Sequence, residues 1–332
     1  MIRLKEHVGV VLRPSSQGFD AGASTFASLF KERTTENYYL YYTGSADTKW
    51  SQASIGVAES QDGLNFVKHS NNPVVSLGRE SVTPALCRAN GRYWMIFAYK
   101  MRRTRLPFVH EVVGRTIGAA CADDPLGPWR LVEQLAKPEA NWEGNIIDLG
   151  PSIAVLNEDE FLVFYSNVPD RLPRSLGPIS VFNNSARRIG LLKLKIRGSG
   201  NIEVEKWDKN PLGHLNGSKG SWNESLFCPG YFNLGNKHYL LPAASTYTTG
   251  FPYRQYIGLI EDSSPFFEHP SLKRILINGP QEKTALLPNA RSEIALDTPS
   301  PVIRGNELWL YYAIMDRADG IWKTALSIFS IE

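Results

Sequence analysis

Five times along this chain the same succession of short strands is written, and few folds accept such a repeat. The most aromatic member reads Tyr38-Tyr-Leu-Tyr-Tyr-Thr43, Tyr93-Trp-Met-Ile-Phe-Ala98, Phe161-Leu-Val-Phe-Tyr-Ser166, His238-Tyr-Leu-Leu-Pro-Ala243 and Leu308-Trp-Leu-Tyr-Tyr-Ala313. A polar turn precedes each copy, Asn90-Gly91 and Gly305-Asn306 among them, and another apolar strand precedes the turn, at 25–30, 83–88, 152–156, 230–234 and 300–304. A third strand follows as Ile55-Gly56, Ile117-Gly118, Ile189-Gly190 and Ile257-Gly258, with Thr324-Ala-Leu-Ser327 in the last copy. A glycine inside a strand marks close approach by a neighbour, here expected to be an adjacent sheet. Fourth strands are visible at Phe66-Val-Lys68, Trp129-Arg-Leu-Val132 and Val204-Glu-Lys-Trp207.

Four-stranded units recurring every ~55–75 residues predict an all-β chain, a five-bladed β-propeller with four-stranded antiparallel blades around a central channel. The blades fall at about 13–70, 80–133, 146–208, 224–275 and 295–332 within a single domain, 1–332. Residues 8–12 are expected to supply the outer strand of the last blade and close the ring. A two-sheet sandwich would not impose a fixed order on three strand types.

Composition narrows the partners. The net charge of +3 is spread over interspersed acids and bases without a basic arm, which argues against nucleic acid. No apolar run approaches the ~18 residues of a membrane helix. The start, Met1-Ile-Arg-Leu-Lys-Glu-His7, lacks the apolar core of a signal peptide, so a cytoplasmic address is the expectation. Cys87, Cys121 and Cys228 are widely spaced and read as reduced, buried thiols. No histidine pair has metal-ligand spacing, and no cofactor is expected, a calcium in the channel remaining open. There is no phosphate-binding loop, nucleophile elbow or dinucleotide fingerprint.

In a propeller the innermost strands all begin on one face, and the loops between second and third strands return there. That face should carry Phe19, Asp20, Glu80, Asp148, Glu224 and Asp297, rimmed by the loops at 43–51, 99–114, 167–186, 245–254 and 315–322. Several carboxylates at one channel mouth are what glycosidic cleavage needs: an acid to protonate the leaving oxygen and a carboxylate to activate water or attack. Asp20, Asp148 and Glu224, from three different blades, are the candidates; the plainer reading of each is a solvated strand-end acid. Arg102, Arg103, Arg105, Arg171, Arg174, Arg187, Arg188 and Arg317 lie in or beside the rim loops. Arginine forks suit an anionic or phosphorylated sugar, or free phosphate; otherwise they pair with local acids. Phe19, Trp50, Trp142 and Trp222 lie where flat rings stack on sugar faces, whereas Trp94, Trp129, Trp207 and Trp309 read as blade packing.

These segments resemble the propellers of glycoside hydrolase family 43, with relatives in families 32 and 130. Ile147-Asp148-Leu-Gly-Pro-Ser152 is similar to the family 43 segment carrying the acid that positions the proton donor. Ile117-Gly-Ala-Ala-Cys-Ala-Asp123-Asp-Pro-Leu-Gly-Pro128-Trp129 looks like that family's third strand with its exit turn. Asn223-Glu224-Ser-Leu-Phe-Cys-Pro229 stands where the general acid is expected, and Asp20 near the general base. Asp20 and Asp148 lack a following proline, and Glu224 is followed by Ser-Leu in place of Gly-Pro. The resemblance implies an inverting glycosidase with Asp20 as base, Glu224 as acid and Asp148 as its partner, acting on a carbohydrate. The alternatives are a phosphate-dependent phosphorylase and a non-catalytic propeller that binds carbohydrate or protein.

Overall fold

The computed structural model describes the chain except residues 33–34, 49, 51, 79, 101–103, 107–108, 113, 169–185, 199–200, 247–254, 280–292 and 317–318. The described regular structure is almost entirely β. After β1 (Ile2–Leu12), the strands β2 (Ala23–Lys31), β3 (Tyr38–Ser45), β4 (Ala53–Ser60) and β5 (Val67–Lys68) pair antiparallel in order. Next come β6 (Ser81–Ala89) and β7 (Arg92–Lys100), then an inserted hairpin of β8 (Thr104–Leu106) and β9 (Val109–Val112). β10 (Arg115–Ala122) and β11 (Arg130–Ala136) complete that unit. A third comprises β12 (Ile146–Val155), β13 (Glu160–Val168), β14 (Ile189–Ile196) and β15 (Ile202–Lys206). A fourth comprises β16 (Ser225–Leu234), β17 (Lys237–Ser245), β18 (Gln255–Asp262) and β19 (Leu272–Asn278). The last runs β20 (Glu293–Arg304), β21 (Glu307–Asp316) and β22 (Trp322–Ile331). Its outer strand is β1, antiparallel on β22, so the first strand of the chain seals the last unit. Single parallel bridges, Ala23 to Trp322 and Arg115 to Ile146, link neighbouring units.

Burial explains why the second strands read as unbroken apolar runs. Every residue of β3 is buried, because each face of that strand meets a different neighbour. Tyr39 and Tyr41 pack with Leu86, Met95 and Phe97 of the second unit, while Leu40 and Tyr42 pack with Trp309, Tyr311 and Leu326 of the last. The other large apolar clusters likewise lie between successive units, each joining one sheet face to the next. Period-two alternation therefore distinguishes two interfaces, not inside from outside. The first strands pack in a cycle: β2 on β6, β6 on β12, β12 on β16, β16 on β20 and β20 on β2.

Each first strand carries a bulge at the same level, within 25–28, 82–85, 149–153, 227–230 and 297–300. Below it the hub is filled by its own backbone. A Cβ on Gly150 would overlap the Pro229 carbonyl, and one on Gly230 would overlap that of Pro299. Ser28 Oγ donates across the hub to the Pro151 carbonyl at 2.7 Å. Above the bulges the hub opens.

Candidate active site

The opening is a cavity of about 280 Å³ lined by Phe26, Trp50, Glu80, Val82, Thr83, Arg115, Asp148, Cys228, Asp297 and Thr298. Its construction follows from the bulges. An extra residue in one strand bends the backbone and re-aims a side chain. Phe26, Thr83, Cys228 and Thr298 occupy the bulges with φ of 47°, 54°, 42° and 47°. A left-handed conformation costs a non-glycine residue about 1 kcal/mol or more, so the packed hub must hold these residues in place. Asp148 and Asp297 stand at one equivalent position, just ahead of the bulge in β12 and β20, opposite Ser166 and Ala313. Glu80 immediately precedes β6, its carbonyl accepting Lys100 N at 2.8 Å.

Two arginines organise the acids. Arg115 donates through one terminal nitrogen to Glu80 and through the other to Asp148. Arg187 donates from Nη2 to Asp148 Oδ2 at 2.8 Å and to Ser166 Oγ at 3.0 Å, and from Nε to the Asn167 carbonyl at 2.8 Å. Its guanidinium lies 4.6 Å from the Phe227 ring centroid. Lys100 Nζ approaches Glu80 Oε2 at 3.5 Å. Burial alone would raise the Asp148 carboxyl, but the charges of Arg115 and Arg187 overcome it and hold Asp148 below its ordinary range. Asp297 shows the opposite balance. Burial and the Asp148 charge outweigh Arg187 and the two Thr298 hydrogen bonds, pushing Asp297 up to about 6. Burial likewise keeps the Cys228 thiol protonated.

Of the three acids singled out by sequence, Asp148 is among the cavity residues, and Glu80 and Asp297 join it. Asp20 is directed into its own unit. It accepts from Lys68 Nζ of β5, from Ser24 Oγ at 2.9 Å and from Tyr42 Oη at 3.0 Å. Burial raises its pKa, but Lys68 and the hydroxyls bring it below normal. Glu143 repeats the arrangement in the third unit: Tyr165 Oη donates to it at 2.7 Å and Lys206 of β15 at 2.9 Å. Acid and tyrosine are 22 residues apart in both copies. Asn72 and Asn210, four residues beyond each lysine, donate to the tyrosine oxygens at 3.3 and 3.4 Å. Asp20 thus belongs to a latch that ties the leading loop to the outer strand of its unit. Glu224 accepts Gly220 N at 2.8 Å in the loop leading to β16.

The aromatic residues divide in the same way. Trp50 lines the cavity and stacks on Phe26 at 5.3 Å, and Phe26 in turn touches Trp322 at 5.1 Å. Phe19, Trp142 and Trp222 instead lie over the third-strand glycines. A Cβ on Gly56 would sit 2.6 Å from Phe19 Cζ, and one on Gly190 would sit 2.7 Å from Trp142 Cη2; Gly258 is covered by Trp222. The close neighbours of these glycines are therefore rings of the same unit, not an adjacent sheet: leading-loop rings at Gly56, Gly190 and Gly258, joined by Tyr42 and Tyr165 at the first two, and Tyr99 of the second strand at Gly118. Arg102, Arg103, Arg171, Arg174 and Arg317 lie outside the described residues, as do the side chains of Arg105 and His110. His214 bonds the Phe267 carbonyl at 2.6 Å.

Sequence reading missed Arg115, although a signal existed. Arg115 and Arg187 both stand two residues before the Ile-Gly of a third strand, where the other units have Ala53, Gln255 and Trp322. In the second unit that position puts Arg115 among the residues lining the cavity.

No family model matches the chain. Among solved structures it is similar to a family 117 glycoside hydrolase of the marine bacterium Zobellia galactanivorans, at 15% identity and a TM-score of 0.61 over 99% of this chain and 91% of that one. The GH43 endo-arabinanase from Bacillus licheniformis is similar at 15% identity and a TM-score of 0.53, over 94% and 96%. The GH32 beta-fructofuranosidase from Bombyx mori, in complex with sucrose, is similar at 13% identity and a TM-score of 0.60, over 97% of this chain and 62% of that one. At such identities the likeness is one of fold, and it is with glycoside hydrolases: the chain is an all-β propeller of the kind they share.

Proposed function

We propose that the chain is a five-bladed propeller enzyme that hydrolyses a glycosidic bond, with its chemistry in the cavity of Glu80, Asp148 and Asp297. The observation carrying this reading is the pair of opposed protonation preferences at one mouth. Asp297, raised to about 6, is the carboxyl suited to protonating a leaving oxygen, while Asp148 is held ionised beside it. Asp148 has both oxygens engaged by arginines and is poorly placed to attack carbon. Glu80, whose Oε1 takes Arg115 and whose Oε2 lies 3.5 Å from Lys100 Nζ, is the carboxylate assigned to activate water through Oε2. Water as the attacking group implies inversion. These roles differ from the sequence expectation of Asp20 as base and Glu224 as acid, because both of those carboxylates are engaged in their own loops.

The test is Asp297→Asn with aryl glycosides of graded leaving-group pKa. Loss of donor should slow poor leaving groups at least a hundredfold and good ones far less. Equal slowing across the series, or none, would remove Asp297 from the role, and Glu224→Gln in the same series checks the alternative donor. Proton NMR of the first-formed anomer reads the stereochemistry. A second reading, phosphorolysis, which needs a single acid, draws on Arg115 lining the cavity and on Arg187 paired with Asp148 behind it; turnover that depends on inorganic phosphate would select it.

A further inference from the structure

At a bulge one backbone N–H leaves its own ladder, and these units dispose of it differently. In the second unit Thr83 N donates to Thr43 Oγ1 of the first at 3.0 Å. In the fourth, Cys228 N donates to Ser166 Oγ of the third at 3.3 Å. Thr43 and Ser166 are equivalent, standing opposite Ile55 and Ile189 of their third strands. The residue opposite Ile257 in the fourth unit is Ala243, so the fifth unit meets no hydroxyl there. Thr298 N turns instead to the carboxylate before it, donating to Asp297 Oδ1 at 2.6 Å, and Thr298 Oγ1 joins the same oxygen at 3.1 Å. Thr298 does so at a φ of 47°, a region that β-branched residues rarely enter, and strain of this kind collects at functional sites. Asp297 Oδ2 has no hydrogen-bond partner among the described residues and is not one of their sealed, unpaired atoms, and the solvent space that Asp297 lines is the cavity.

We propose that Thr298 is the positioning residue of the proton donor: by holding Oδ1 with two donors it confines the transferable proton of Asp297 to Oδ2. This rests on Asp297 being the acid named above. An amide N–H can only donate, so a proton placed on Oδ1 would point at another donor, whereas Oδ2 is open. The leaving oxygen is therefore met by one edge of the carboxyl. The same two bonds favour the ionised form, opposing burial and the Asp148 charge, and so hold Asp297 at about 6 and not higher. Thr298 thus sets both where the proton sits and how readily it is given up. The charged groups facing Asp297 are Asp148 and Arg187 of the third unit; the Cys228 thiol faces it from the fourth, and Ala313 stands opposite it in β21.

The test is pH-difference infrared spectroscopy of the free protein, with the Asp297 carboxyl band identified by its loss in Asp297→Asn. With the proton on Oδ2 the carbonyl oxygen is Oδ1, and its stretch lies at the low frequency of a carbonyl that accepts two hydrogen bonds. Thr298→Val, which removes one donor, should raise that frequency and lift the titration midpoint by about one pH unit. Thr298→Ser, which keeps both donors, should move neither. A wild-type band at the frequency of an unbonded carbonyl overturns the proposal, as does a band or a midpoint unmoved in Thr298→Val. The wild-type band needs no change at Thr298, so misfolding of Thr298→Val does not spare the proposal. In kcat/KM for an aryl glycoside, the alkaline limb, where the donor loses its proton, should rise with the midpoint in Thr298→Val and stay in place in Thr298→Ser. A limb that stays fixed while the band moves overturns the positioning role where Asp297→Asn has abolished turnover. Where Asp297→Asn retains full turnover, the catalytic reading fails and the placement of the proton stands.

Discussion

Replacing Arg187 with methionine should expose how much of the site is held by charge. The side chain makes a 2.8 Å bond to Asp148, a 3.0 Å bond to Ser166 Oγ, a 2.8 Å bond to the Asn167 carbonyl and a stack on Phe227. Arg187 and Asp148 side chains are 12% and 11% exposed, so solvent screens the pair little. Breaking a buried pair from one side costs about 3–5 kcal/mol, and Arg115 remains to hold Asp148, which places the loss near the lower figure, about 3 kcal/mol. Methionine fills much of the volume, so packing contributes little to that number. In a chain of this length the melting temperature should fall by about 4 °C.

The pH dependence tests the cause. Asp148 is depressed in the folded state, so its contribution is complete above its ordinary value of 3.8 and is lost as pH falls through the folded value. The difference between wild type and Arg187→Met, measured by urea unfolding, should therefore be full at pH 7 and narrow below pH 3.8. A difference of the same size at pH 7 and pH 3 would refute the electrostatic argument, and the absence of any difference at pH 7 would refute the pair itself.

Other perturbations separate chemistry from architecture. Asp297→Asn should stabilise the protein at alkaline pH: a carboxyl raised from 3.8 to about 6 favours folding fully below 3.8 and loses that advantage as pH rises through 6. That rise corresponds to about 3 kcal/mol at pH 8 and almost nothing at pH 3.5, read by chemical unfolding at the two pH values. Lys68→Met should destabilise by about 3 kcal/mol by stranding Asp20, and the Asp20→Asn, Lys68→Met double variant should recover part of it, while the pH profile of turnover stays unchanged. Gly190→Ala should cost about 1–3 kcal/mol in thermal melts through its clash with Trp142 and Tyr165, and Trp142→Leu in the same chain should relieve some of the cost.

The repeat was legible because each strand type serves one place in the unit. The aromatic runs at 38–43 and 308–313 are second strands buried on both faces, which leaves no polar positions to blur the pattern. Pairing of the first strand with the last copy could be anticipated from that copy's missing fourth strand. The site was harder to read, and β12 shows why. Its apolar pattern starts at 152, yet the strand begins at Ile146, because the bulge between Leu149 and Ile153 resets the alternation. Residues just ahead of the apparent strands therefore looked equivalent when they were not. Asp148 and Asp297 lie within strands at the hub, whereas Asp20 lies three residues before β2 and turns outward to Lys68. The latch was invisible because its four members are scattered across a unit, and only the repeated interval of 22 residues between acid and tyrosine could have disclosed it.

The bulges carry a consequence for how such a chain can change. At Phe26, Thr83, Cys228 and Thr298 the backbone has stepped out of register, so neighbouring strands hold on through residues above and below. Side chains there line the cavity and stand outside the regular ladder of the sheet. New reactivity can be installed at these sockets one residue at a time, while the ring that presents them keeps its shape.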